Sequence, residues 1–160
     1  EARREWGLPL VMLRMGLIYG PSGWFPEFAL RIQRGRGVLV GAGENYTSLV
    51  SSRDVGEAIR AAVEVAPRGE DFLIIDDEPM TQIAWQGILA ESLGRPPVRR
   101  KVPFWLASLS AGRVNAETFA SSRRARNRRA KERLGFQPTF STVRQGFPAA
   151  LADAGVTPHR

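Results

Sequence analysis

Residues 8–14, Leu-Pro-Leu-Val-Met-Leu-Arg, run directly into Met15-Gly16-Leu17-Ile18-Tyr19-Gly20-Pro21-Ser22-Gly23, and this stretch decides how the rest of the chain is read. The first run is short, continuously apolar and opened by a Gly-Leu-Pro turn, the pattern of a strand covered on both faces in a parallel sheet. In the second, three glycines and a proline predict irregular backbone that can approach a ligand closely. In open α/β sheets such strand ends face the ligand crevice. Glu1 to Trp6, just upstream, has helical character, so the two pieces read as half of an α/β unit.

Working outward, Trp24 to Arg34 carries Phe25, Phe28, Ala29 and Ile32 at helical spacing and is stopped by Gly35 and Gly37. Val38 to Val40 is a short strand ended by Gly41-Ala42-Gly43. Tyr46 to Ser51 is extended and leads to a helix that Asp54 is placed to cap, with Val55, Ala58, Ile59, Ala62 and Val63 forming its apolar face. Phe72 to Ile75 is a second buried strand, expected parallel and adjacent to Leu10 to Leu13. Thr81 is placed to cap a helix that turns Ile83, Ile88, Leu89 and Leu93 inward and ends at Gly94. Beyond it, Val98 to Val102 reads as extended, and Phe104 to Leu109, Asn127 to Leu134 and Thr142 to Ala152 as helices. The order is mixed α/β with helices collecting toward the C-terminus, and there is no internal repeat.

Composition narrows the chemistry. No stretch of the 160 residues approaches the roughly 20 apolar positions of a membrane span, which predicts a cytoplasmic protein without a membrane partner. With no cysteine there is neither a disulfide nor a thiolate metal site or nucleophile. The single histidine, His159, sits beside the last residue, which argues against a Ser-His-Asp hydrolase. The net charge of +7 comes partly from Arg95, Arg99, Arg100 and Lys101, and from the run Arg123 to Arg133. Those charges point all round a helix and no aromatic residues interleave with them, so a solvated basic surface is favoured over a nucleic-acid site. Asp76-Asp77-Glu78 lacks further ligands at metal spacing and reads as a solvated turn.

Four ordered features give the chain a family resemblance. Arg14 followed by Tyr19-Gly20-Pro21 is the first, and Gly41-Ala42-Gly43-Glu44-Asn45 leading into Leu49-Val50 and Asp54-Val55 is the second. The strand Phe72 to Ile75 with its Asp-Asp-Glu-Pro-x-Thr turn is the third, and Ser121 through Asn127 to Leu134-Gly135-Phe136-x-Pro138 is the fourth. Together they resemble the C-terminal portion of an extended short-chain dehydrogenase/reductase of the NAD-dependent epimerase/dehydratase family, and they cover nearly the whole chain.

The resemblance implies a Rossmann-like doubly wound parallel sheet plus a small, mostly helical substrate-binding region. Residues 1–80 would be the end of the nucleotide-binding sheet with inserted substrate-side elements, and residues 81–160 the helical region. It implies NAD or NADP as cofactor, with Met15, Gly16, Leu17 and Ile18 as its contacts. Tyr19, Trp24, Phe25, Thr47 and Arg99 become the substrate-side candidates, Tyr19 and Phe25 being also natural packing residues. Relatives hold the dinucleotide on a Gly-x-x-Gly-x-x-Gly turn and take their proton chemistry from Tyr-x-x-x-Lys. This sequence has neither, so no catalytic residue and no metal ligand is assigned, and both elements are expected upstream in the missing N-terminal half. Alone, the chain is expected to be inactive and, with strand edges open, to associate, a homodimer being one such form. The implied parent is an oxidoreductase, epimerase or dehydratase of a sugar-like or small carbonyl or hydroxyl substrate; the alternatives are a non-catalytic binding protein of the same fold and a basic nucleic-acid-binding module. In nucleotide-sugar relatives an Arg commonly clamps the diphosphate where Thr47 stands here, and an aromatic or His stands at the place of Ser51. Both changes favour the smaller substrate.

Overall fold

The chain from Met12 to Tyr19 is one extended run that changes partners at its middle. Its first part, β1 (Met12–Met15), pairs in parallel with β6 (Asp71–Ile74), Met12 opposite Asp71 and Met15 opposite Ile74. Its second part, β2 (Leu17–Tyr19), pairs in parallel with β5 (Leu49–Ser51). The switch takes one residue: Gly16 N–H donates to the Ile74 carbonyl at 3.0 Å, and Leu17 N–H to the Ser48 carbonyl at 2.9 Å. A Cβ on Gly16 would stand 2.5 Å from the Ser48 oxygen and 2.8 Å from Ile75 Cγ2, so glycine is required by close approach. Residues 17–19 are therefore strand, not the irregular backbone expected from the glycines and proline. The structure is a computed structural model and describes residues 10–65 and 69–158; the expected helix over Glu1 to Trp6, the first residues of the apolar run and His159 lie outside them.

Four of the described strands remain short pairs or edges: β3 (Leu39–Val40) lies parallel to β8 (Lys101–Val102), and β4 (Tyr46–Thr47) antiparallel to β7 (Met80–Thr81). The helices are α1 (Trp24–Gln33), α2 (Ser52–Val65), α3 (Gln82–Ser92), α4 (Phe104–Ala111), α5 (Arg113–Ala120), α6 (Arg128–Leu134) and α7 (Val143–Asp153). The expected adjacency of the two apolar strands holds. Among the described residues they are covered on one face only, as strands lacking their usual neighbours would be: along β1, Leu13 and Met15 turn inward while Met12 and Arg14 stand in solvent, and Leu73 of β6 is exposed as well.

Local chemistry explains the helix starts. Thr81 Oγ1 accepts from Ala84 N–H at 3.3 Å and caps α3, as its position predicts, and Gly94 takes φ +67° beyond the other end. For α2 the cap is Ser51, whose Oγ accepts from Asp54 N–H at 3.0 Å; Asp54 returns the contact by accepting the Ser51 hydroxyl at 2.7 Å. Its other carboxylate oxygen accepts from Thr139 N–H at 2.6 Å. Asp54 thus fastens the segment before α7 to the start of α2, a tie across 85 residues that no local pattern announces.

Two cores result. In one, Tyr19, Phe25, Ala29, Ile32, Leu39 and Leu49 meet Trp85, Leu89, Leu93, Phe147 and Leu151, so α1, α3 and α7 close over one side of β2 and β5. In the other, Val50, Phe72 and Ile74 meet Ala58 and Ala62 of α2 and Ala130, Leu134 and Phe136 of the α6 region. Each core draws on residues from both sides of position 80. In α3, Ile83 is exposed, and Trp85 and Gln86 fill the inward positions instead. Helix α5, which the sequence reading lacks, packs against α4, and both present apolar side chains outward at Trp105, Leu109 and Val114.

Candidate functional site

A cavity of about 370 Å³ opens where β1 hands over to β2. Met15, Gly16 and Leu17 form one wall, Ile75 continues it, and Tyr46, Thr47 and Ser48 form the next. The far rim is Thr118, Ser121, Arg123 and Ala125 from the segment leaving α5. The location follows from topology, since the carboxyl ends of the parallel strands β1 and β6 end at this point. Among the described residues no carboxylate lines the cavity, and the charged ones that do are Arg14, ion-paired with Asp71 at 3.3 Å, and Arg123.

Several candidates from the sequence meet here and several do not. Met15, Gly16, Leu17 and Thr47 share the cavity. Ile18 does not line it; its side chain is exposed and its carbonyl accepts from Trp24 Nε1 at 2.6 Å. Tyr19 is 1% exposed, its ring edge-on to Phe147 with centroids 5.0 Å apart. Phe25 is fully buried in the same cluster. Trp24 is half-buried, packing edge-on against Phe28, Trp85 and Phe119. Arg99 borders a separate, smaller cavity of about 180 Å³ beside Gly35 and Arg95. The position of Arg99 therefore gives it no access to Thr47's cavity, and Arg100 likewise faces elsewhere.

Beside this cavity the acidic turn departs from expectation. Asp76 is 1% exposed, and neither carboxylate oxygen has a hydrogen-bond partner. Burial pushes its pKa from 3.8 up to about 8, with the charges of Asp77, Glu78 and Asp54 adding to the rise. The Glu78 N–H approaches the carboxylate without closing a hydrogen bond and only partly offsets the burial. Asp77, its neighbour, accepts from Lys131 Nζ at 2.8 Å and from Asn127 Nδ2 at 2.7 Å. Partial burial raises its pKa, but those donors outweigh the burial and the net shift is downward. Asn127 also donates to the Ile75 carbonyl at 3.0 Å, so it ties α6 to the strand end and does not cap its helix. Three consecutive acids thus form a partly interior structural turn, not a solvated one.

Sequence reasoning missed Ser48, Asn127's bonding role and Arg123. Ser48 Oγ donates to the Arg123 carbonyl at 3.1 Å and accepts from Ala125 N–H at 3.3 Å. A serine between Thr47 and Leu49 in an extended run carries no signal of such a role. Arg123 was hidden inside a basic run whose other members are solvated or ion-paired, such as Arg129 and Arg133 with Glu70.

Known proteins share this architecture. A human epimerase family protein, SDR39U1, whose crystal structure contains NADPH, superposes with a TM-score of 0.80 at 18% identity over 89% of this chain and 48% of its own. The dTDP-glucose 4,6-dehydratase DesIV of Streptomyces venezuelae, with NAD and TYD bound, superposes with a TM-score of 0.70 at 24% identity over 95% of this chain and 45% of its own. The chain has the fold of the C-terminal portion of an extended short-chain dehydrogenase/reductase. No protein-family model matches it. Among curated proteins, a 3-diazoavenalumate denitrifying reductase of a Streptomyces species is 34% identical over 140 residues, 86% of this chain and 45% of that protein. The chain therefore spans about half the length of the extended short-chain dehydrogenases and of the curated reductase that it matches. Among the described residues no helix is long and apolar enough to cross a membrane, and no group of three His, Cys, Asp or Glu is placed to hold a metal.

Proposed function

We propose that this chain is the substrate-facing portion of an NAD(P)-dependent reductase, epimerase or dehydratase acting on a small carbonyl or hydroxyl compound. The observation that carries the reading is the cavity at the ends of β1 and β6, where Met15, Gly16 and Leu17 stand across from Thr47. That wall offers main chain and aliphatic surface and, among the described residues, no negative charge, which suits the uncharged dihydronicotinamide ring of the reduced cofactor. When bound, the cofactor supplies the hydride acceptor or donor. The chain's own residues form the wall against it, keep water from one side of the strand ends, and present Tyr46, Thr47 and Ser121 hydroxyls to a substrate.

The identity to a reductase supports hydride chemistry over a purely structural use of the fold. Thr47 in place of a diphosphate-clamping arginine favours a substrate smaller than a nucleotide sugar. The pyrophosphate cradle and the proton-transferring Tyr and Lys belong, on this reading, to a preceding segment. The test is a pair of assays on the full-length protein and on residues 1–160 alone, with NADH and NADPH and a panel of ketones, enones and sugars. Turnover by the full-length protein and none by the shorter chain is expected. Saturable turnover by the shorter chain, or none by a full-length protein that binds neither cofactor, would overturn the reading.

A further inference from the structure

We infer that Arg123 is a substrate-binding residue that holds an oxyanion, a carboxylate or phosphate carried by the substrate; this rests on the proposed cofactor-and-substrate reading of the same cavity.

The position of Arg123 is fixed by its backbone. Its N–H donates to the Tyr46 carbonyl at 2.8 Å, and its own carbonyl accepts from Ser48 Oγ at 3.1 Å. On either side, Tyr46 N–H donates to Ser122 Oγ at 3.1 Å and Ala125 N–H to Ser48 Oγ at 3.3 Å. Asn45 Nδ2 holds the Phe119 carbonyl at 2.7 Å, so the whole strap from the end of α5 runs along residues 45–48. Extended backbone alternates its side chains, and Arg124 accordingly turns the other way, its guanidinium 5.1 Å from the centroid of the Tyr46 ring. Arg123 and Ala125 share the Thr47 cavity; Arg124 does not line it.

The electrostatics then single out one group. Arg14, the other cation at the cavity, is engaged by Asp71. Among the described residues Arg123 has no ion pair, side-chain hydrogen bond or ring contact, whereas Arg124, Arg128, Arg129 and Arg133 of the same basic run each have one. Arg123 is exposed, unpaired among the described residues and held by its backbone beside a cavity that no described carboxylate lines, a setting that suits an anion with two oxygens.

The test uses the full-length protein saturated with NADPH and three probes of one shape: benzoate, phenyl phosphate and uncharged benzamide. Titration calorimetry should show Arg123→Ala weakening the better-bound oxyanion at least tenfold, since a charge-assisted contact is worth on the order of 1.5–3 kcal/mol and about 1.4 kcal/mol is tenfold. Benzamide and NADPH affinities should change less than twofold, Arg123→Lys should recover part of the loss, and Arg124→Ala should bind the oxyanion like the unmodified protein. A preference for benzoate or for phenyl phosphate identifies the source of the oxyanion. Equal weakening of benzamide, no change on removing Arg123, or no oxyanion binding by an unmodified protein that binds NADPH overturns the assignment. Failure of the unmodified protein to bind NADPH removes instead the cofactor reading beneath it.

Discussion

The core around Trp85 and the open face of the β1–β6 pair both carry large apolar side chains, in opposite environments. Around Trp85, Tyr19, Phe25, Leu89 and Phe147 are each at most 1% exposed, and the rings interlock edge to face across α1, α3 and α7. On the outer face of β1 and β6, Leu10 is 45% exposed, Met12 55% and Leu73 39%. The first region closes on itself because helices from both ends of the chain reach it. The second is half a layer: α2 and α6 cover one side, and none of the described residues covers the other. In a doubly wound fold helices lie on both faces of the sheet, so on the proposed reading a preceding segment would cover the open side.

The sharpest way to break the closed region is Trp85→Ala. The indole is fully buried, and its loss leaves a cavity among Trp24, Phe28 and Phe147. We expect a loss of about 3–5 kcal/mol in urea unfolding, at the upper end of large-to-small changes. A loss below about 1 kcal/mol would mean that this core does not hold the fold together.

The contrast also marks what sequence could and could not reveal. Elements defined by local chemistry were legible: the Thr81 cap, the Gly94 stop, the parallel partnership of the two apolar runs and the family resemblance all follow from near neighbours or short patterns. What failed depended on contacts across long separations. Asp54 looks like a cap because helices start with such residues, yet its carboxylate serves Thr139, and Ser51 does the capping. Residues 17–19 looked irregular because glycine breaks strands, yet Gly16 lets one strand exchange partners. Asp76 looked solvated because acids on turns usually are, and nothing nearby in sequence shows that it is 1% exposed with Asn127 bonded to its carbonyl. Of the site, the wall at Met15, Gly16, Leu17 and Thr47 was legible, whereas Arg123 and Ser48 needed the strap that brings residue 123 to residue 48.

Asp76 belongs to the closed region and predicts its pH dependence. A carboxyl whose pKa rises on folding from 3.8 to about 8 holds its proton in the folded protein at pH values where the unfolded chain has released it. Its contribution is therefore fully present below about pH 4 and is lost as pH rises through about 8. Asp76→Asn removes that slope. The variant should gain on the order of a few kcal/mol over the unmodified protein between pH 5 and pH 8, read from denaturation midpoints across that range. Parallel pH profiles for the two proteins would show that the carboxyl is paired or wet.

Gly16 is the joint between the two regions, and Gly16→Ala tests it with a smaller effect. The added methyl meets the Ser48 carbonyl and Ile75, so β2 must shift away from β5 or β1 from β6. Overpacking of this kind costs about 1–3 kcal/mol. Because the same shift displaces the Met15–Thr47 wall, cofactor affinity of the full-length protein should fall along with stability, whereas a merely local strain would lower stability alone.

The smallest expected effect falls on the open face, and its size depends on what lies against it. In residues 1–160 alone, Leu73→Thr replaces a 39% exposed leucine with a β-branched residue that suits a strand. The change should stay within about 0.5 kcal/mol, as surface substitutions do, and should reduce association in sedimentation velocity by removing apolar surface. In a full-length protein whose preceding segment covers this face, the same leucine becomes interior, and losing its burial should cost about 1.5–3 kcal/mol. The difference between the two backgrounds is the measurement of interest. A neutral substitution in both would mean that the outer face of β1 and β6 stays in solvent, and the doubly wound arrangement would then end at this strand pair.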